Sequence, residues 1–278
     1  MARLITNNQQ LSSFPELKTS YSEISVFNND IEDLPDELWE QKELHNLNIS
    51  ANKLSSISEK LGQLVNLEMI DFGHNQLAKI PESIGQLTRL ESFVYLHNNL
   101  LEKLPESLTQ LSKLRYLNIS QNKLTNLPED IGNLGELVEL KAERNQLTEL
   151  PESFTRLSKL IEVNLSDNTI NSLPEDFYKL EKLRVLNLED NRISQLPTDN
   201  TALTELHMRN NKIAVLPAEI LRLQQLRKLD LRGNLLKTLP DELLELSLLE
   251  RLDLRWNLDL EIPDWVNKFR ERGCIVYY

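Results

Sequence analysis

The sequence predicts an α/β fold: a right-handed solenoid of stacked repeats, with a parallel strand from each on a concave face and a short helical or 3₁₀ turn on the convex face. Three observations predict it. The stretch Leu114, Leu117, Ile119, Asn122, Leu124, Leu127, Pro128 spells L-x-x-L-x-L-x-x-N-x-L-x-x-L-P, and copies of it fill the chain. Its asparagine recurs as Asn29, Asn52, Asn75, Asn99, Asn122, Asn145, Asn168, Asn191, Asn211, Asn234 and Asn257, mostly 23 residues apart, with Gln9 in the same place near the start. So regular a period marks supersecondary units that cannot bury their apolar side alone and therefore stack. Just before each asparagine, apolar and polar residues alternate with the period of a half-buried strand.

Length and charge fit that reading. The 278 residues exceed one conventional core, but a solenoid grows by adding rungs, so a single domain over 1–278 is expected. No apolar run reaches the roughly 18 residues of a spanning helix, and Met1 to Leu17 lacks the apolar stretch of a signal peptide, so a cytoplasmic protein is expected. The single cysteine, Cys274, rules out a disulfide framework and a cysteine zinc cluster. A formal charge of −12 argues against nonspecific binding to nucleic acid or anionic membranes. Residues 205–278 hold 12 basic and 12 acidic residues, so the whole acidic excess lies before them.

In chain order, Leu4, Leu11 and Phe14-Pro15 form a degenerate N-terminal capping repeat over 1–20. Strands follow at Ile24-x-Val26, Leu47-x-Ile49, Ile70-x-Phe72 and their equivalents, and the recurrent Leu-Pro or Ile-Pro pair is expected to end each strand and carry the chain outward. The return arcs, such as Ile84 to Leu87, Ile131 to Leu134 and Phe177 to Leu180, have room for only a turn or two of helix. Each marker asparagine can both donate to and accept from the backbone groups a turn leaves unpaired. The repeats from Gln9 to Asn29 and from Asn191 to Asn211 are three residues short, so Pro197 to Thr201 should return in a tighter, extended arc. Between Asn75 and Asn99 one residue is added, around Glu91 to Phe93, which suggests a β-bulge. The cap, 258–278, reads as an Asp-started short helix over Asp264 to Phe269 and a closing strand, Gly273 to Tyr277. Adding the 23-residue period to Leu252 and Leu254 turns Ile275 and Tyr277 inward and Cys274, Val276 and Tyr278 outward, and the chain reads as complete.

The copies around Leu127-Pro128-Glu129-Asp130-Ile131-Gly132-Asn133-Leu134 resemble the 23-residue leucine-rich repeats of intracellular proteins, the class found in Ras-suppressor and Scribble-type scaffolds and in many bacterial proteins. The resemblance covers essentially the whole chain, and it implies a non-catalytic, monomeric module that binds a protein partner on the concave strand face without a cofactor. Some bacterial relatives append a ligase domain with a catalytic cysteine; here only four residues follow Cys274. A delivered bacterial effector binding a host protein through the same face is the alternative, and an enzyme using that face a remote one.

Residues six, four and two before each marker point away from the core. Aromatics gather at Phe93, Tyr95, His97 and Tyr116, with Met69 beside them, and these are the expected partner site. Their plain alternative is a set of ordinary exposed aromatics, or core residues if the insertion falls later. The last rungs give Arg232 and Arg255 among alternating Asp and Arg, with Trp256 beside them, a second partner site or a ladder of salt bridges. His74 and His97 fall on adjacent rungs but lack a third ligand, so no metal site is expected. No nucleophile motif or phosphate-cradling loop accompanies the scattered acid and base residues, so catalysis is not expected.

Overall fold

A computed structural model describes residues 2–278, which divide into two compact units, 2–145 and 146–278. The first carries β1 (Ala2–Ile5), β2 (Tyr21–Ser25), β3 (Asn46–Asn48), β4 (Met69–Asp71), β5 (Phe93–Tyr95), β6 (Tyr116–Asn118) and β7 (Glu139–Lys141). They pair in parallel in chain order, which places Glu23, Asn46, Met69, Phe93, Tyr116 and Glu139 side by side on the open face. The central residues Ile24, Leu47, Ile70, Val94, Leu117 and Leu140 turn inward and are fully buried, as are Val26, Ile49, Phe72, Leu96 and Ile119 two positions on. Such short strands close no core by themselves. Stacking makes one continuous apolar column of them.

The marker asparagines hold neighbouring rungs together. Asn122 Nδ2 donates to Leu96 O of the previous rung (3.0 Å) and to Ile119 O of its own (3.1 Å), while its Oδ1 accepts from Leu101 N–H (3.0 Å). The residue before each marker takes a left-handed conformation, with φ between 51° and 56° from Asn28 to Arg144, and this turns the chain off the strand. The first rung differs: Gln9 is exposed, and Asn29 Oδ1 accepts from both Gln9 N–H and Leu11 N–H, each at 3.0 Å. The prolines do not end strands as expected. Pro35, Pro81 and Pro105 stand immediately before the 3₁₀ turns Asp36–Glu40, Glu82–Gln86 and Glu106–Gln110, with φ between −74° and −66°, a position where a missing N–H leaves no acceptor unserved.

The added residue is absorbed ahead of β5. Leu90 is buried in the earlier register, and Phe93, Val94 and Tyr95 pair with Met69, Ile70 and Asp71 without a break. The expected β-bulge is therefore corrected to a longer approach through Glu91 and Ser92, where no ladder hydrogen bond has to be given up.

The second unit carries β8 (Glu162–Asn164), β9 (Val185–Asn187), β10 (Glu205–His207), β11 (Lys228–Asp230), β12 (Arg251–Asp253) and β13 (Ile275–Tyr277), again parallel and in chain order. Its 3₁₀ turns are Glu152–Arg156, Glu175–Lys179, Ala218–Arg222, Asp241–Glu245 and Asp264–Val266. In the short repeat no helix forms: Pro197 to Thr201 passes in turns, and Asn200 Nδ2 donates to Phe177 O (2.9 Å). After β12 the last 3₁₀ turn runs into α1 (Asn267–Glu271), whose Phe269 is fully buried, and then into β13.

The closing strand corrects the predicted register. Leu252 pairs with Val276, 24 residues on, so Val276 and Cys274 are buried while Ile275 and Tyr277 lie on the open side, together with exposed Tyr278. The helix adds the residue: Cys274 N–H bonds back to Phe269 O (2.9 Å), so the strand starts one position later than the repeat period dictates. Cys274 is thus a core residue rather than an edge one, and burial pushes its thiol pKa up. Among the described residues no helix is long and apolar enough to cross a membrane.

Candidate functional site

In the first unit, β4, β5 and β6 bring together the aromatic residues singled out from the sequence. Phe93 stacks on Tyr95 (centroids 5.7 Å, 12° between planes) and meets the edge of Tyr116 at 5.4 Å; Tyr95 and Tyr116 are 5.3 Å apart. Phe93 is 43 % exposed, and Tyr95 and Tyr116 are half-buried, so the cluster is supported from beneath and open above. Met69, also half-buried, is the register partner of Phe93. His97 joins through Tyr95 at 5.9 Å, and its ring lies over Gly73, where an added Cβ would collide with His97 Cε1. Glycine at that position is what seats the imidazole.

Electrostatics at the cluster follow burial. Desolvation raises the phenol pKa of Tyr95, reinforced by Tyr116 and Asp71. Tyr116 is likewise raised by burial, with Lys141 opposing. Lys141 reaches over the Tyr116 ring (5.8 Å) and pairs with Glu139 (3.3 Å); burial disfavours its charge, yet Tyr116 and Glu139 hold its pKa above the ordinary value. His97 is lowered by burial and then by His74, and its Nδ1 is buried without a hydrogen-bond partner. The two imidazoles meet edge to face at 4.7 Å, and His74 Nδ1 is taken by Asn98 Nδ2 at 2.5 Å, which leaves no convergent pair of ring nitrogens for a metal. Beside Phe93 and Tyr116 opens a groove of about 680 Å³ lined by Glu91, Ser92, Lys113, Arg115 and Glu139 among others. Two of these residues, Glu91 and Ser92, belong to the lengthened approach.

The other predicted residues lie in the second unit. Arg232 is held by Asp230 through Nε at 2.9 Å and through Nη2, with Asp253 3.6 Å away; Arg255 is held by Asp253 at 2.9 Å and 2.7 Å. Asp253 is only 1 % exposed, so both guanidiniums are oriented from below by buried or half-buried carboxylates. Sequence reading placed these charges with Trp256 beside them, but not the indole among three guanidiniums. The indole of Trp256 lies 5.5 Å from the Arg209 guanidinium, 5.8 Å from Arg232 and 5.7 Å from Arg255, and the Tyr277 ring lies 4.8 Å from Arg255. One signal was available: every other residue before a marker is small, polar or charged, and Trp256 is none of these.

Nearby, Glu189, His207 and Asp230 bring potential ligand atoms within 4.8 Å of one another. Arg232 already engages Asp230, and His207 sits between Glu205 (3.4 Å) and Glu189 (3.8 Å). Burial, then Asp230, raises the Glu189 pKa, against the pull of His207, Arg232 and Arg209. Surrounding guanidiniums supply the counter-charge here, which makes the trio a poor host for a cation.

Family models of leucine-rich repeats match residues 66–87, 99–165, 150–193 and 201–258. A leucine-rich-repeat protein of Leptospira interrogans is 30 % identical over 93 % of this chain and 78 % of its own, with a TM-score of 0.69. An internalin of Listeria monocytogenes is 23 % identical over 99 % of this chain and 86 % of its own, TM-score 0.76, which shows the fold. The plant peptide hormone receptor RGFR1 is 28 % identical over 85 % of this chain, which spans 40 % of the receptor chain, TM-score 0.75. No curated protein matches. Repeat, ladder and relatives agree: the chain belongs to the leucine-rich-repeat proteins.

Proposed function

We propose that this chain is a non-catalytic protein-interaction module that grips a protein partner with Phe93, Tyr95 and Tyr116, assisted by Met69 and His97. The supporting observation is the stacked, half-open aromatic cluster on β5 and β6, next to the lengthened approach through Glu91 and Ser92. Rings supported from below lose little entropy on binding, and aromatic anchors of this kind carry about 2 kcal/mol or more each when truncated. The adjoining groove offers room for a side chain of the partner next to the rings. Plant receptor RGFR1, similar in fold, is described in complex with RGF2, so a repeat surface of this kind can serve a peptide or protein ligand. The reading takes the chain to act as a cytoplasmic monomer without cofactor.

Affinity capture from lysate, followed by titration of the captured partner, tests it. Tyr95→Ala combined with Tyr116→Ala should weaken binding about a hundredfold or more, with little change in melting temperature. Undiminished binding by that double variant rules out the aromatic cluster as the anchor.

A further inference from the structure

Trp256 sits where this fold least suits it. The residue before each marker is forced into the left-handed region, and Trp256 adopts φ 64° there. At the same position stand Asn28, Asn98, Asp167, Asp190, Asn210 and Gly233, residue types that tolerate that conformation at small cost, and Ala51, His74, Gln121 and Arg144, which share it; Trp256 is the bulkiest of them all. A bulky aromatic is strained there. Burial does not offset the strain, because Trp256 is 56 % exposed. Two further apolar side chains are exposed: Leu258, two residues on and 94 % accessible, and Leu235, its equivalent in the preceding repeat.

Around the indole stand the guanidiniums of three successive rungs, Arg209, Arg232 and Arg255. They share one register position, two before the marker. Carboxylates occupy the Nε and Nη2 edge of Arg232 and of Arg255, which holds each fork in place and leaves its Nη1 side for another acceptor. Arg209 is different. It has no carboxylate within ion-pair distance among the described residues, and its Nε is buried without a hydrogen-bond partner. On the open-face positions of these three rungs five cations (Arg209, Lys228, Arg232, Arg251, Arg255) meet three carboxylates (Glu205, Asp230, Asp253), a positive excess in a chain of net charge −12.

We propose that Trp256, Arg209, Arg232 and Arg255 form a binding site for an acidic peptide segment of a partner protein, one with an apolar side chain next to its carboxylates. Carboxylate oxygens accept from Arg209 and from the outward edges of Arg232 and Arg255, and the apolar side chain covers the indole face. Arg232 and Arg255 are fixed in direction by their carboxylates, and with Arg209 they lie 5.5–5.8 Å from the Trp256 ring, so little ordering of these two is left to occur on binding. The local positive excess selects acidic segments over basic ones. The site is independent of the aromatic cluster proposed above as an anchor.

The test uses the full chain and a fluorescent, terminally blocked peptide of Glu and Asp with one central Leu, titrated by anisotropy; a Lys-containing counterpart and a single-stranded DNA oligonucleotide serve as rivals. Wild-type protein should bind the acidic peptide saturably and not the basic one. Trp256→Asn, which places a residue suited to φ 64° there, should keep or raise the melting temperature and weaken the peptide at least about tenfold. Arg209→Gln should weaken it by a similar factor, and the Tyr95→Ala, Tyr116→Ala double variant should bind as wild type does. The proposal is overturned if the acidic peptide fails to saturate, if Trp256→Asn and Arg209→Gln bind it unchanged, or if the oligonucleotide displaces it as well as unlabelled peptide does. Loss of the peptide only in the tyrosine variant also overturns it, by moving the contact to the aromatic cluster.

Discussion

An asparagine in the middle of a repeat does two jobs in this chain with one amide. Asn145 Nδ2 donates to Ile119 O and Ala142 O, both at 3.0 Å, and its Oδ1 accepts from Leu124 N–H at 3.0 Å. All three partners are backbone groups buried beyond the reach of water. Asn145→Ala strands them, and unmade buried hydrogen bonds cost about 1–3 kcal/mol, so the unfolding free energy from denaturant melts should fall by that amount and the midpoint with it. An unshifted midpoint would mean that the turn holds without its amide. Leucine-to-alanine arguments do not apply here: the loss is polar, and the open face of β7 is untouched. The same scale explains Gly73, whose missing side chain is required by the His97 ring rather than by backbone conformation.

At the scale of the element, the strands are only three residues long in most rungs, and nothing in one of them would hold its shape alone. What fixes each is the neighbour on either side, so the terminal element matters out of proportion to its length. β13 covers the edge of β12, and α1 buries Phe269 beneath it. Deleting residues 264–278 uncovers the ladder edge at β12 and the apolar side chains under it. The truncated protein should melt at lower temperature and self-associate, as read by light scattering. A monomeric truncation with an unchanged melt would show that the rung of β12 needs no cover. The one-residue slip in β13 comes from this same element: a helix in place of the usual 3₁₀ return consumes an extra residue, and the last strand shifts by one, with its faces exchanged.

At the scale of the whole chain, charge is the property that no single rung decides. A net −12 means self-repulsion, set against scattered ion pairs such as Lys53–Asp30 and Lys60–Asp36, both at 2.7 Å. Exposed pairs of this type contribute little each. Raising sodium chloride from about 0.01 M to about 0.1 M shortens the screening length from about 30 Å to about 10 Å, which weakens long-range repulsion more than contact pairs. The melting temperature should therefore rise with salt over that range. A fall would mean that the ion pairs, not the excess charge, dominate the electrostatics of folding.

The sequence by itself determined the rung spacing, the inward and outward residue at every strand from β2 to β12, the place of the added residue and the gathering of Phe93, Tyr95 and Tyr116 on neighbouring strands. It could do so because each of these follows from a short period: alternation fixes the face, and equal spacing puts equivalent positions side by side. Only the tertiary structure decided the rest. It alone showed that the extra residue stays outside the ladder, that the final strand is shifted and Cys274 buried, that His97 rests on Gly73, and that Trp256 is ringed by Arg209, Arg232 and Arg255. The physical reason is common to all four. Each depends on how a side chain or turn fills the space left by the adjacent rung, and a repeat pattern records which residues recur but not the shape of the gaps between them.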